Sequence, residues 1–131
     1  MRQPCETDTI LNERGWNLVI TGAVFHINES SAAKQRAALR NIVNLIAEMP
    51  DLPVELVVQG DAINLVVTTE TELAEELRTL QDRGLSVAVC HNTMKAKNIS
   101  AQQLLPNLTI VPSAVGRLVT RQQEGFSYIK P

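Results

Sequence analysis

Aromatic residues are almost absent from this 131-residue chain: Trp16, Phe25, Phe126 and Tyr128 are all it has. A single domain of this length can bury a sizeable core, so that core must be built from Val, Leu, Ile and Ala. A strong charge of either sign is also missing. Twelve Lys and Arg stand against 14 Asp and Glu, a formal net charge of -2. That removes the electrostatic case for nucleic acid or an anionic membrane surface as partner. No apolar run is long enough to cross a bilayer. The N-terminus, with Arg2, Pro4, Glu6 and Asp8 and no apolar stretch, does not read as a secretory leader. Two cysteines, Cys5 and Cys90, are too few for a disulfide framework. A reducing cytoplasm is the expected compartment, with Cys90 a free thiol.

Several motifs are lacking as well. No second cysteine stands at C-x-x-C spacing, which excludes a thioredoxin-like dithiol within the chain. There is no G-x-G-x-x-G, P-loop or G-x-S-x-G. A nucleotide-binding regulator would have to rely on Gly60-Asp61 or Val115-Gly116 to cradle phosphate. Cys90, His26 and His91 lack the usual ligand spacing and a fourth partner for a metal site. No metal and no cofactor is therefore expected.

What the sequence does contain is an alternation of short apolar runs with amphipathic ones. Residues 1 to 14 are polar and aperiodic and read as an arm, possessing no regular structure and carrying an incidental Cys5. Residues 15 to 131 read as one domain. Trp16 to Ile27 is a β-rich run, in which Gly22 marks a bulge, a close backbone approach or the start of the strand proper. The spacing of Leu39, Ile42, Val43, Ile46 and Met49 predicts a helix from about 32 to 49, capped by Ser30 or Ser31 and stopped by Pro50. Val54 to Gln59 is a second strand. Ala62 to Val67 is apolar and reads equally as strand or short helix. Thr69 and Glu72 fit a capping box, opening a helix with Leu73, Leu77 and Leu80 as its stripe and Gly84 as its stop. Leu85 to Cys90 is a third strand. Ser100 and Gln103 fit a second capping box. Leu108 to Val111, a helix over 114 to 124 with Val115, Leu118 and Val119 as its apolar face, and Phe126 to Ile129 complete the chain. Strands alternating with helices imply an α/β fold, a three-layer α/β/α sandwich around a mostly parallel five-stranded sheet.

In such a sheet all strands end at one edge, where open α/β proteins bind their ligands. The residues at those ends are polar or reactive: His26, Gln59-Gly60, Cys90-His91-Asn92 and Pro112-Ser113. A buried cysteine in a reducing compartment is most often a small hydrophobe. At a strand end, however, with backbone amides, Lys95 and Lys97 nearby, its thiolate would be favoured, and the thiolate is the nucleophile. His91 follows Cys90 directly and would point away from it in an extended strand, whereas His26 could approach from another strand end. Either could instead be a hydrogen-bonded loop histidine.

Three blocks in order, Val89-Cys90-His91-Asn92-Thr93-Met94-Lys95-Ala96-Lys97-Asn98-Ile99, Val111-Pro112-Ser113-Ala114-Val115-Gly116-Arg117-Leu118-Val119 and Gln123-Glu124-Gly125-Phe126-Ser127-Tyr128-Ile129-Lys130-Pro131, together with Phe25-His26-Ile27 and Val58-Gln59-Gly60, resemble the DsrE/DsrF-like (YchN-like) family over about residues 16 to 131. The resemblance implies a five-stranded parallel sheet between helical layers and a homo-oligomer, a trimer or hexamer. It also implies sulfur handling of the relay type, in which a cysteine at the position of Cys90 accepts a persulfide and passes it on between donor and acceptor proteins. On that expectation Cys90 is the nucleophile and His26 or His91 assists proton transfer. Gln59, Gly60, Asn92, Thr93 and Ser113 shape the pocket. The alternative is a non-catalytic oligomeric module that binds a small ligand, with Cys90 lining the pocket and the apolar segment Ala62 to Val67 forming the subunit junction.

Overall fold

The computed structural model describes the backbone of residues 9–11 and 17–19 and residues 21–131 in full. Cys5 and Trp16 lie outside the described residues. The elements are β1 (Thr9–Leu11), β2 (Asn17–Val19), β3 (Ala23–Ile27), α1 (Ala32–Glu48), β4 (Val54–Val58), α2 (Ala74–Asp82), β5 (Ser86–Cys90), α3 (His91–Ala96), β6 (Thr109–Val111), α4 (Ala114–Gln123) and β7 (Ser127–Ile129). A 3-10 helix spans Gly60–Val66 and a short one Ala101–Gln103. β3 to β7 form one sheet in the order β6-β5-β4-β3-β7, and every pairing in it is parallel. This is the three-layer α/β/α arrangement expected from the sequence.

The long N-terminal run is divided. Asn17–Val19 pairs antiparallel with Thr9–Leu11, a strand where the sequence suggested an unstructured arm. The strand of the main sheet starts only after Gly22, against whose backbone the Phe126 ring is packed. A Cβ added to Gly22 would lie 2.5 Å from that ring, so the glycine marks a close approach.

The order of the strands decides which face each helix covers. The chain steps outward from β3 through β4 and β5 to β6, then returns past β3 to add β7. With every crossover of the same hand, the last one lies on the opposite face from the others. Accordingly α1, α2, α3 and the Gly60–Val66 helix bury the odd positions of β3 and the even positions of β4, including Phe25, Ile27, Leu56 and Val58. On the other face, among the described residues, α4 packs alone, over Val24, Val57, Ala88, Cys90 and Val111.

Three local expectations are corrected. Ala62, Ile63, Leu65, Val66 and Val67 belong to the core, each 3% exposed or less. A Gly at φ 59° starts the Gly60–Val66 3-10 turn that folds them inward, so they cannot form a subunit junction. The Thr69–Glu72 capping box does not form: α2 begins at Ala74 after Leu73, and it is the Thr71 hydroxyl that accepts from the Leu73 N–H. In α4 the buried residues are Ala114 and Leu118, while Val115 and Val119 are exposed. The Ser31 cap of α1 and the Ser100–Gln103 box are present as read.

Candidate functional site

Cys90 is the last residue of β5 and the residue that caps α3, which starts without an intervening loop. Its neighbour in register is Val111, the last residue of β6. From there Pro112 and Ser113 lead into α4, capped by the Ser113 hydroxyl, which accepts from the Gly116 N–H at 2.9 Å. Two helices thus begin beside one sulfur. Both present unsatisfied N–H groups and the positive ends of their dipoles.

The sulfur uses those donors. Burial pushes the thiol pKa up. Hydrogen bonds from the Thr93 hydroxyl and from the amides of Thr93, Ala114 and Asn92 pull it down, and the net shift is downward. Thr93 is buried and does two jobs: its hydroxyl oxygen accepts from the Gly60 N–H at 2.9 Å, which turns its hydrogen toward the thiolate. The lysines do not share this work. Lys97 pairs with the Asp61 carboxylate at 2.7 Å, and Lys95 is exposed. Neutral hydrogen-bond donors, not cations, favour the thiolate form.

The remaining residues at this edge are placed unevenly. Gln59 follows Val58, which pairs with Val89, so it stands beside Cys90 on the adjacent strand and on the same face. His26 lies one strand further, two strand spacings or about 10 Å from Cys90, beyond reach of a direct hydrogen bond. Its Nε2 is 2.7 Å from Gln59 Oε1 and its Nδ1 is 3.0 Å from the Tyr128 hydroxyl. His91, exposed at the start of α3, lines a separate open cleft with Met94, Lys95, Asn98, Ile99, Ser100 and Gln103. Asn92 contributes its amide while the residue itself is exposed, and Ser113 acts as the cap that sets the Ala114 N–H. Among the described residues no three His, Cys, Asp or Glu side chains cluster as metal ligands, and no helix is long and apolar enough to cross a membrane.

Sequence reasoning missed a group on the same face. Glu55, in the middle of β4, is 1% exposed and accepts hydrogen bonds from Arg117 Nε and Nη2 (2.9 and 2.8 Å), Arg121 Nε and Nη2 (3.0 and 3.3 Å) and the Ser86 hydroxyl (3.2 Å). Burial raises its pKa, but the two guanidinium groups dominate and hold it down at about 2. The signal was available: a single Glu inside Val54-Glu55-Leu56-Val57-Val58, and two Arg four apart on the last helix.

The model of the DsrE/DsrF-like family matches residues 22–131. The chain belongs to the DsrE/DsrF-like family. Among solved structures, this family member is similar to MTH1491 from Methanobacterium thermoautotrophicum, a protein of unknown function, at 30% identity and a TM-score of 0.81, over 85% of this chain and 99% of that one. It shares its fold with the YchN protein from E. coli at 15% identity and a TM-score of 0.74, over 86% of this chain and 100% of that one. No curated protein matches the sequence. DsrE/DsrF-like membership points to a role related to sulfur metabolism.

Proposed function

We propose that this protein is a sulfur carrier of the cytoplasm, in which Cys90 accepts sulfane sulfur as a persulfide and hands it to an acceptor thiol. The observation that supports this most is the thiolate cradle: three backbone amides from two helix starts, plus the Thr93 hydroxyl, converge on one strand-end sulfur and lower its pKa. The Cys90 thiolate attacks the outer sulfur of a persulfide R–S–SH. The donor S–S bond breaks as the new one forms, and R–S⁻ departs with the electron pair. In the second half an acceptor thiolate takes the outer sulfur and Cys90 leaves as thiolate, into the same cradle. Sulfur moves between thiols without net oxidation, so this exchange calls on no metal and no organic cofactor. A thiol that serves as nucleophile and then as leaving group is aided in both roles by a lowered pKa. Donor and acceptor are thiol-bearing proteins or small thiols, and the chain works as a homo-oligomer, a trimer or hexamer.

The second reading keeps the oligomer and gives Cys90 no chemistry: a small ligand binds at the strand-end edge and the cysteine lines the pocket. The near-complete burial of Cys90, 2% exposed, favours it. One experiment separates them. In a Cys5→Ser background, the pH dependence of Cys90 alkylation gives its pKa. Intact mass after exposure to glutathione persulfide then reports loading. The carrier reading expects a thiol more acidic than an ordinary cysteine and a gain of one sulfur, absent in Cys90→Ser. An ordinary, slow thiol with no added sulfur sinks it in favour of the binding module.

A further inference from the structure

The strand-end edge carries a polar row beyond the cysteine: Cys90 on β5, Gln59 after β4, His26 on β3 and Tyr128 on β7, on adjacent strands in that order. The hydrogen bonds fix its polarity. Gln59 Oε1 can only accept, so the His26 Nε2 at 2.7 Å carries the proton and donates. Nδ1 is then an acceptor, and the Tyr128 hydroxyl at 3.0 Å donates to it. Tyr128 therefore selects the histidine tautomer, and the histidine selects the orientation of the Gln59 carboxamide. With the oxygen turned toward β3, the NH₂ group on the same carbon diverges from it, toward the side where β5 and Cys90 stand.

The backbone that carries Gln59 is pinned on both sides. Its own N–H donates to Ile27 O at 3.1 Å, and the next N–H, that of Gly60, donates to the Thr93 hydroxyl that serves the thiol. Gln59 is thus held to β3 on one side and to the Cys90 cradle on the other, about one strand spacing from Cys90. Among the described residues its NH₂ hydrogens have no partner. The inner sulfur is already served by Thr93, Asn92 and Ala114. The atom that lacks a donor is the outer sulfur of a Cys90 persulfide.

We propose that Gln59 is the hydrogen-bond donor to that outer sulfur, and that Tyr128 and His26 are positioning residues that aim its amide. This rests on the persulfide reading of Cys90 and reassigns His26 from proton transfer to orientation. A donor on the outer sulfur draws charge from it. That holds the persulfide during loading and exposes the same sulfur to the incoming acceptor thiolate. In that step the acceptor S–S bond forms, the Cys90 S–S bond breaks, the hydrogen stays on the transferred sulfur and the electron pair returns to Cys90.

The test uses the full chain in the Cys5→Ser background, with glutathione persulfide as donor and reduced glutathione as acceptor. Gln59→Glu keeps the oxygen that accepts from His26 but loses the donor. Tyr128→Phe removes only the hydroxyl of a residue that is 43% exposed, so folding is spared. Both are expected to slow loading and transfer by about tenfold, the loss of one hydrogen bond. Tyr128→Phe is further expected to leave the pKa of the resting Cys90 thiol unchanged, because that sulfur has its own donors. A general structural disturbance would move the resting pKa as well. If the unaltered protein loads sulfur and both variants load and transfer at its rate, the assignment of Gln59 is overturned while the carrier reading stands. If the unaltered protein gains no sulfur, both fall together.

Discussion

At the residue scale, the proposed chemistry turns on how the thiolate of a buried sulfur is favoured without a nearby cation. Desolvation alone would make Cys90 an inert thiol, as it does most core cysteines. Four neutral donors reverse that, and Thr93 is the one whose side chain can be removed. Thr93→Val keeps the shape and deletes the hydroxyl. It takes a donor from Cys90 and at the same time strands the Gly60 N–H, which has 2.9 Å contact with that oxygen. The alkylation profile of Cys90 is expected to shift to higher pH. Stability is expected to drop by about 1 kcal/mol, the low end of the cost of an unpaired polar group, because Gly60 is only partly buried. An unmoved alkylation profile would mean that the amides alone hold the thiolate. The place of Cys90 was legible in the sequence, because a parallel sheet gathers its strand ends at one edge and only a few ends carried reactive residues. Its partners were less legible. The neighbourhood of His26 depends on β7 returning to the far side of β3, and nothing in the linear order of elements reveals that return. Tyr128 therefore drew no attention, and His26 was brought too near the thiol.

At the scale of elements, α4 shows why its amphipathic pattern misled. The apolar residues Val115, Leu118 and Val119 suggested a face that the helix does not bury. Its inward face is instead Ala114, Arg117, Leu118 and Arg121, because two arginines are drawn down onto Glu55 of the sheet. Hydrophobic periodicity cannot register a buried ion pair; α1 and α2 bury only apolar residues and one glutamine, and there the stripe was legible apart from Val43, which is exposed, Met49, which follows the last turn of α1, and the start of α2. The pair has a pH signature. Glu55 titrates at about 2 in the fold against about 4.5 normally. Its contribution is therefore complete above pH 4.5 and is lost as the pH falls from 4.5 toward 2. That difference in acidity corresponds to about 3 kcal/mol of stability at neutral pH. Glu55→Gln leaves two half-buried guanidinium groups without their anion and should lose about 3–5 kcal/mol at neutral pH. Urea unfolding of both proteins across pH 7 to 2 checks this. The gap between them is expected to be widest at neutral pH and to narrow below 4.5. A gap constant with pH would show that Glu55 holds α4 by shape and not by charge.

At the scale of the whole molecule, the two faces of the sheet are covered unequally. Three helices and a 3-10 turn bury one face, and among the described residues α4 stands alone on the other. α4 turns Val115 and Val119 outward at 60% and 49% exposure, and Tyr128 on the same side of the sheet is 43% exposed. The proposed homo-oligomer gives those side chains something to bury against: the surface of a neighbouring copy of the chain. Covering the exposed half of each valine is worth about 1 kcal/mol. Summed over every subunit contact of a closed ring, that is enough for two substitutions to shift the equilibrium. Val115→Glu with Val119→Glu places two carboxylates there. The first lies in the opening turn of α4, where a negative charge suits the helix end, and neither touches the buried face, so the subunit itself should stay folded. Sedimentation equilibrium is expected to give a multiple of 14.4 kDa for the unaltered chain and the monomer mass for the double variant, with unchanged far-UV circular dichroism. A monomer in both cases would refute the assembly and leave the exposed valines without a partner. If the oligomer survives in the variant, subunits meet elsewhere and α4 remains an open face beside the Cys90 edge. Where the double variant is monomeric, sulfur loading measured on that monomer decides whether the thiol site is complete in one chain.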